Sequence, residues 1–437
     1  MRDESSTITR RSFLAATAAA AGVPLIVNAV APVHTTLPAA LPAVHNAVGK
    51  MKVGLIGCGG RGTGAAADIL SASPDVELWS MGDMFQDRVS GSLSSLKGEA
   101  ELASRVNVTA ERQFTGFDAY QKVIDSGVDI VIAATCPHFR PMHLEAAIRA
   151  GKHAFIEKPV AVDPAGIRKV MEASKLAKEK NLSIVCGTQR RHQNSYLEAI
   201  AKIRDGAIGD VVEARCYWNQ GGLWVNKQQP GQSDMEWQLR NWLYFTWLSG
   251  DHIVEQHVHN IDIMNWVIGA TPVKCWAMGG RQVRTAPEYG HIFDHFAVEY
   301  EYPGGVMGHS YCRQIEGCVD RVEEFAHGTK GNASLSPGRA EFTGPGAWKF
   351  GGKNPNPYRQ EHVDFMDGII SGKPLNEGQR IAESTLTAIM GRMAAYTGKV
   401  VTWEHALNSK LDLSPSKYEL GAYPVGEVAV PGKTPLI

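Results

Sequence analysis

The chain has no excess of charge of either sign: 44 basic residues stand against 45 acidic ones, for a formal charge of −1 over 437 residues. Nucleic acid and anionic membranes are recognised through a clustered basic excess, so neither is an expected partner. The seven cysteines are odd in number, widely spread and without a CxxC pair, which argues against a disulfide framework or a cysteine-bound structural zinc. HExxH and GxSxG are absent. Long apolar runs are scarce as well. The one extended uncharged stretch, residues 13–33, is interrupted by Gly22, Pro24, Asn28 and Pro32, which makes it a poor membrane span. What remains, 44% hydrophobic and 20% charged, is the composition of a globular protein of two to three domains.

Immediately ahead of that stretch, Thr9-Arg10-Arg11-Ser12-Phe13-Leu14 resembles a twin-arginine export signal, with a basic start, a short apolar core and a tail of small residues in order. The expectation is a periplasmic protein, its signal removed between about residues 29 and 47, with no membrane span left.

From Lys52 onward, strands at 52–56, 76–81, 128–133, 153–156 and 182–186 alternate with helices at 65–70, 142–150 and 165–178. This rhythm predicts an α/β fold whose first domain is a doubly wound parallel sheet closing near Gly187. Beyond residue 211 the texture changes. Segments 211–218, 273–278, 295–302 and 306–312 collect strand formers without long helices between them, which predicts a large open, mostly antiparallel sheet. One helix interrupts it, because Val254, Val258, Ile261, Met264 and Ile268 recur at helical spacing as far as Gly269. Residues 336–357, dense in glycine, proline and asparagine, read as loop, and helices are expected over 360–370 and 378–396. The expected organisation is 1–49 signal and linker, 50–188 first domain and 189–437 second domain with a helical tail.

Gly57-Cys58-Gly59-Gly60-Arg61-Gly62 fits GxGxxG directly after a strand and before a helix. Glycines there allow a tight turn and close approach of a pyrophosphate, while the helix N-terminus offers free N–H groups and positive dipole. Asp83 ends the next strand 21 residues after Gly62, where a carboxylate accepts from a ribose hydroxyl and repels a 2′-phosphate. The cofactor expected is NAD rather than NADP. The turn has no GK[ST] continuation, which excludes a nucleotide-triphosphatase loop.

Ala134-Thr135-Cys136-Pro137-His138 and Glu157-Lys158-Pro159 follow the next two strands, at the carboxyl edge where such sheets bind ligands. A lysine there can hydrogen-bond a substrate hydroxyl and stabilise the developing alkoxide. These motifs, with Gly151-Lys152-His153, Gly187-Thr188-Gln189-Arg190-Arg191 and Gly206-Ala207-Ile208-Gly209, resemble the glucose–fructose oxidoreductase/inositol dehydrogenase (Gfo/Idh/MocA) family over nearly everything after Lys50. The resemblance implies a Rossmann domain followed by an α/β domain with an open sheet. It also implies NAD(P)-linked redox chemistry on sugars or polyols, commonly in homo-oligomers. Cofactor contacts would fall on Gly57, Gly59, Arg61, Gly62, Asp83, Thr135, Pro137, His138, Glu157 and Lys158.

Lys158 takes the place of the family's catalytic lysine, and the second family signature falls on residues 252–262. The catalytic histidine falls on His259 and the carboxylate four residues earlier on Glu255, in place of the family's aspartate, with His257 where a small residue is usual. On an uninterrupted helix Glu255 and His259 share a face, so Glu255 would orient the imidazole that accepts the hydroxyl proton. His252, Glu255, His257 and His259 could alternatively ligate a metal, although their spacing matches no metal motif, and none is assigned. Arg190, His257 and Trp242 are the expected substrate contacts, Trp242 as part of the aromatic cluster around residues 219–240.

An exported enzyme meets no free NAD, so a tightly held cofactor recycled within the site is expected. Two cycles allow this: hydride return to a second carbonyl compound, or oxidation, elimination, hydration and reduction, which amounts to glycoside hydrolysis outside the usual two-carboxylate scheme. A carbohydrate sensor without catalysis is a third reading, which would leave Lys158 and His259 unexplained.

Overall fold

The computed structural model describes residues 50–437; the twin-arginine segment and the linker, residues 1–49, lie outside the described residues. Six strands, β1 (Met51–Ile56), β2 (Val76–Asp83), β3 (Gln113–Thr115), β4 (Ile130–Ala133), β5 (His153–Ile156) and β6 (Ile184–Cys186), form a sheet of order β3-β2-β1-β4-β5-β6. Every pairing in it is parallel. Val53, Leu55, Ile130, Ile132, Phe155 and Val185 are fully buried, as required of strands covered by helices on both faces. The order reverses between β1 and β4, which opens a crevice beyond the carboxyl ends of the strands. Gly57, Thr135, Glu157 and Gly187 all stand just past strand ends at this edge, and Asp83 is the last residue of β2.

The helices follow from local chemistry. The helix Pro164–Glu179 begins with proline in its first turn, and Asp163 caps it by accepting from the Gly166 N–H at 2.7 Å. Its stripe Ile167, Val170, Ala173 and Ala177 is buried at helical spacing.

A second sheet holds nine strands, β7 (Val211–Gln220), β8 (Lys274–Gly280), β9 (His295–Glu301), β10 (Met307–Gln314), β11 (Arg321–Gly328), β12 (Asn332–Ser336), β13 (Arg339–Thr343), β14 (Trp348–Lys349) and β15 (Val401–Thr402). Their order is β14-β13-β12-β11-β7-β10-β9-β8-β15. All neighbours are antiparallel except β7 and β10, which run parallel at the centre. Two expectations need correction here. Part of the expected loop 336–357 is strand, since Ala340 and Phe342 of β13 point alternately into the core despite the glycine-rich surroundings. The single helix expected through Val254 is two, His252–Glu255 and Val258–Ile268. The N–H groups of Gln256 and His257 both reach the His252 carbonyl, at 3.0 and 3.2 Å, so one extra residue is wound into the turn.

The last helices close the structure. Phe365 and Met366, on the helix Pro357–Ile370, join Ile69, Leu70 and Leu96 in the core over the first sheet. The helix Gly378–Thr397 is buried along most of its length between both halves. No helix among the described residues is long and apolar enough to cross a membrane, and all seven thiols are free.

Behind the strand ends runs a chain of charges that passes from the half-exposed Asp364 inward. His192 Nδ1 is 2.6 Å from Asp364, its Nε2 lies 3.6 Å from Glu377, and Glu377 binds Arg380 at 2.7 Å. Burial alone would lower the His192 pKa, but the two carboxylates push it up to about 9. A raised histidine pKa adds stability that is complete below 6.5 and disappears as pH climbs through about 9. His192→Gln is therefore expected to destabilise the fold at pH 6 by roughly 3 kcal/mol, with the gap to wild type closing by pH 9.5 in urea titrations. A gap that stays constant over that range would remove the ion pair as its cause.

Candidate active site

The glycine-rich turn separates packing from binding. Gly57 has φ +97°, and a Cβ there would lie 2.5 Å from the Thr135 nitrogen; one on Gly62 would lie 1.9 Å from the Gly57 carbonyl oxygen. Those two glycines let the helix Gly60–Ala72 sit hard against β1 and β4. A Cβ on Gly59, by contrast, would meet nothing within 4 Å. The space before this helix N-terminus is unfilled by protein, and a pyrophosphate fits both its position and its polarity. Asp83 accepts from the Cys58 N–H at 2.7 Å and the Phe85 N–H at 3.0 Å, one bond on each oxygen, leaving lone pairs for ribose hydroxyls. Burial raises its pKa. Beside it lies a slot lined by Met84, Phe117, Tyr120, Phe139 and Leu239, apolar enough for the flat face of a base.

Several expected cofactor residues are engaged by the protein itself. Arg61 binds Glu157, Glu361 at 3.0 Å and Asp68 at 3.4 Å, so its charge is met by carboxylates rather than left open. Glu157 is buried, also accepts from the Lys158 N–H at 3.1 Å, and lies over Gly187, where any Cβ would strike its carboxylate. Thr135 Oγ1 is 3.2 Å from His143 Nδ1, and Pro137 opens the short turn Pro137–Phe139. His138 is covered by the C-terminal segment: its Nε2 is 2.8 Å from the Tyr418 hydroxyl, and burial lowers its pKa to about 4. These five residues shape the crevice wall.

The Lys158 ammonium has its three N–H bonds spoken for. It donates to the Glu255 carbonyl at 2.7 Å, to Glu255 Oε1 at 3.0 Å and to Gln256 Oε1 at 3.3 Å. Glu255 is thus the partner of Lys158, and the expectation that it orients His259 is corrected. The extra residue wound in at Gln256–His257 rotates Glu255 off the face that carries His259. His259 is left with no hydrogen-bond partner among the described residues and stacks at 5.7 Å on Trp218, with 22° between the rings. Burial, then the charges of Lys158, Arg190 and Arg61, hold its pKa well below the usual histidine value. The imidazole is neutral at physiological pH and is able to accept a proton.

His257 was expected to meet substrate and does not. It is fully buried against the second sheet, Nε2 2.8 Å from the Ser310 hydroxyl and 3.6 Å from Cys216 Sγ, with a pKa lowered to about 3 by burial. His252 is equally buried, its Nε2 3.4 Å from the Trp218 carbonyl. With Glu255 turned to Lys158, the four side chains do not converge, and no group of three metal-ligating residues occurs among the described residues.

Arg190 is buried rather than lining an open cleft. It pairs with Glu324 of β11, which also accepts from Asn260 and, at 3.0 Å, from the Tyr196 hydroxyl. Arg191 makes a two-pronged pair with Asp262 at 2.8 and 2.9 Å. Trp242 is half-buried and lies against Trp224 at 6.0 Å. Gln256 and Glu324 are the residues of the site that sequence reasoning missed, whereas Trp218 belongs to the aromatic cluster already read from the sequence. Gln256 sits inside the quoted signature; Glu324 carried no local signal, because strand pairing alone brings it under Asn260.

The comparisons with known proteins follow this geometry. The family described as "Oxidoreductase family, NAD-binding Rossmann fold" matches residues 51–187, and the "GFO/IDH/MocA C-terminal domain" matches 196–334. A 2,7-anhydro-N-acetylneuraminate hydratase of Escherichia coli (strain K12) is 27% identical over 205 residues, 46% of this chain and 50% of that one. A myo-inositol 2-dehydrogenase of Thermotoga maritima is 22% identical over 283 residues, 64% of this chain and 74% of that one. The chain thus spans half the length of the first of these relatives and about three quarters of the second. The crystal structure of an aldose-aldose oxidoreductase from Caulobacter crescentus, complexed with glycerol, shares the fold at 19% identity and TM-score 0.63, over 81% of this chain and 99% of that one. With both halves matched in order, the chain belongs to the Gfo/Idh/MocA family of NAD-binding Rossmann-fold oxidoreductases.

Proposed function

We propose that this protein oxidises and reduces a hydroxyl-bearing carbon of a sugar or polyol, with NAD held in the crevice of the first sheet. The reading is carried by one juxtaposition: Lys158, at the strand edge beside a glycine turn with open space at Gly59, lies near enough to His259 for its charge to help keep that imidazole neutral, and His259 has no hydrogen-bond partner for its side chain among the described residues. Bound NAD supplies the two-electron acceptor. The chain's own residues supply the rest. Lys158 exchanges its longest bond, to Gln256, for one to the substrate oxygen and stabilises negative charge there. Glu255 keeps the ammonium in place, and His259 takes the hydroxyl proton. Trp218, stacked on His259, gives a sugar ring an aromatic neighbour.

His259 stays neutral far below pH 6.5 in the free protein. The expected kcat/KM profile therefore lacks the rising limb near pH 6–7 that an ordinary histidine base produces. Such a limb, present in the wild type and lost in His259→Ala, would show that the base titrates normally.

A second reading, a redox-neutral elimination and hydration cycle, is favoured by the hydratase among the relatives. With His257 buried, both of its proton transfers fall to His259 and Lys158. Denaturing the purified protein and assaying the nucleotide it releases comes first. Nitrophenol released from a nitrophenyl glycoside without added NAD, and abolished in Lys158→Ala, selects the second reading; sustained NADH formation with free sugar selects the first. Bound nucleotide with neither activity leaves the sensor. The signal-like residues 9–14 and the absence of a disulfide pattern support export of a folded, NAD-loaded protein, and the open second sheet supports self-association.

A further inference from the structure

Away from the crevice, a cavity of about 530 Å³ lies between the helix Gly378–Thr397 and the C-terminal segment. Met393, Leu411, Leu413, Val428, Val430 and Leu436 give it a mainly apolar wall. Arg392 belongs to the same lining and is 1% exposed. Its Nη1 donates to the Gly250 carbonyl at 3.0 Å, whereas its buried Nη2 has no partner among the described residues. The two carboxylates whose charges act on Arg392, Asp251 and Asp163, are committed elsewhere. Asp251 accepts from His252 N, Phe293 N and the Tyr396 hydroxyl, and Asp163 from Gly166 N and Leu413 N. Lys433 and Glu427, both exposed, complete the lining with one charge of each sign.

A buried guanidinium with an unmet N–H is costly until an anion reaches it. We propose that this cavity binds a small amphipathic monocarboxylate, its headgroup on Arg392 and its hydrocarbon body along the apolar wall. A phosphate dianion suits it poorly, because one unmet donor and an apolar wall would leave much of its charge bare. The volume accommodates a ligand of drug-like size or smaller. Two lining residues, Arg392 and Tyr396, bond to Gly250 and Asp251, the turn immediately before the segment of Glu255 and His259.

Isothermal titration of the full chain with octanoate tests this, with 1-octanol and octylamine as charge controls. Octanoate is expected to bind one per chain and at least tenfold more tightly than either control. Arg392→Met is expected to weaken it at least tenfold. Because that side chain is buried, Ala429→Trp, which adds bulk to the cavity from the half-buried C-terminal segment, is expected to give an independent tenfold loss, with Tm read alongside to show that the fold is kept. Equal binding of octanol, no saturable heat with octanoate, or unchanged affinity in Ala429→Trp would each overturn the proposal. The readout is binding without turnover, so its result is separate from the reading of Lys158.

Discussion

Lys158→Ala is expected to lower turnover by about 10³-fold or more while the nucleotide content of the purified protein stays unchanged. The lysine holds Glu255 at 3.0 Å, with both side chains about nine-tenths buried, so its removal also leaves a carboxylate without its cation. Breaking such a pair costs about 3 kcal/mol, which will appear as a lower Tm. The two effects separate in the double variant Lys158→Ala/Glu255→Gln, where the stranded charge is gone. Stability is expected to recover and turnover is not. Recovery of both would reduce Lys158 to a structural ion-pair partner.

The second large effect contrasts two glycines three positions apart. Gly62→Ala places a methyl group 1.9 Å from the Gly57 carbonyl oxygen, an overlap that only backbone movement relieves. Loss of bound nucleotide together with a Tm several degrees lower is expected. Gly59→Ala meets no protein atom, and Gly59 has an ordinary φ of −73°. Its Tm is expected to stay within about 2 °C of wild type while nucleotide content, read by absorbance after denaturation, falls at least tenfold. If Gly59→Ala retains full nucleotide, the open space in front of the helix is not where the pyrophosphate lies.

The parts of this protein that were legible in its sequence are those decided locally. A strand, a glycine turn and a helix within about 20 residues specify one another, and the parallel sheet with Asp83 at its second strand end follows from that pattern. The site's second half was less legible, because distant strands decide it. His257 turns toward Ser310 of β10, which lies 53 residues away, and the helix winds in an extra residue beside it. Helical spacing alone therefore paired Glu255 with the wrong partner. Glu324 lies 134 residues from the arginine it neutralises. Composition misled at β13, where glycine and proline on both flanks hid a strand whose inward residues, Ala340 and Phe342, are two of only five.

Phe365 and Met366 complete the core over the nucleotide-binding sheet, although they follow the last strand of that sheet by nearly 180 residues. A ribosome that has made only the first half of the chain thus holds a sheet with an apolar gap where that helix belongs. A fragment ending at residue 190 is therefore expected to leave that apolar surface uncovered and open to chaperones.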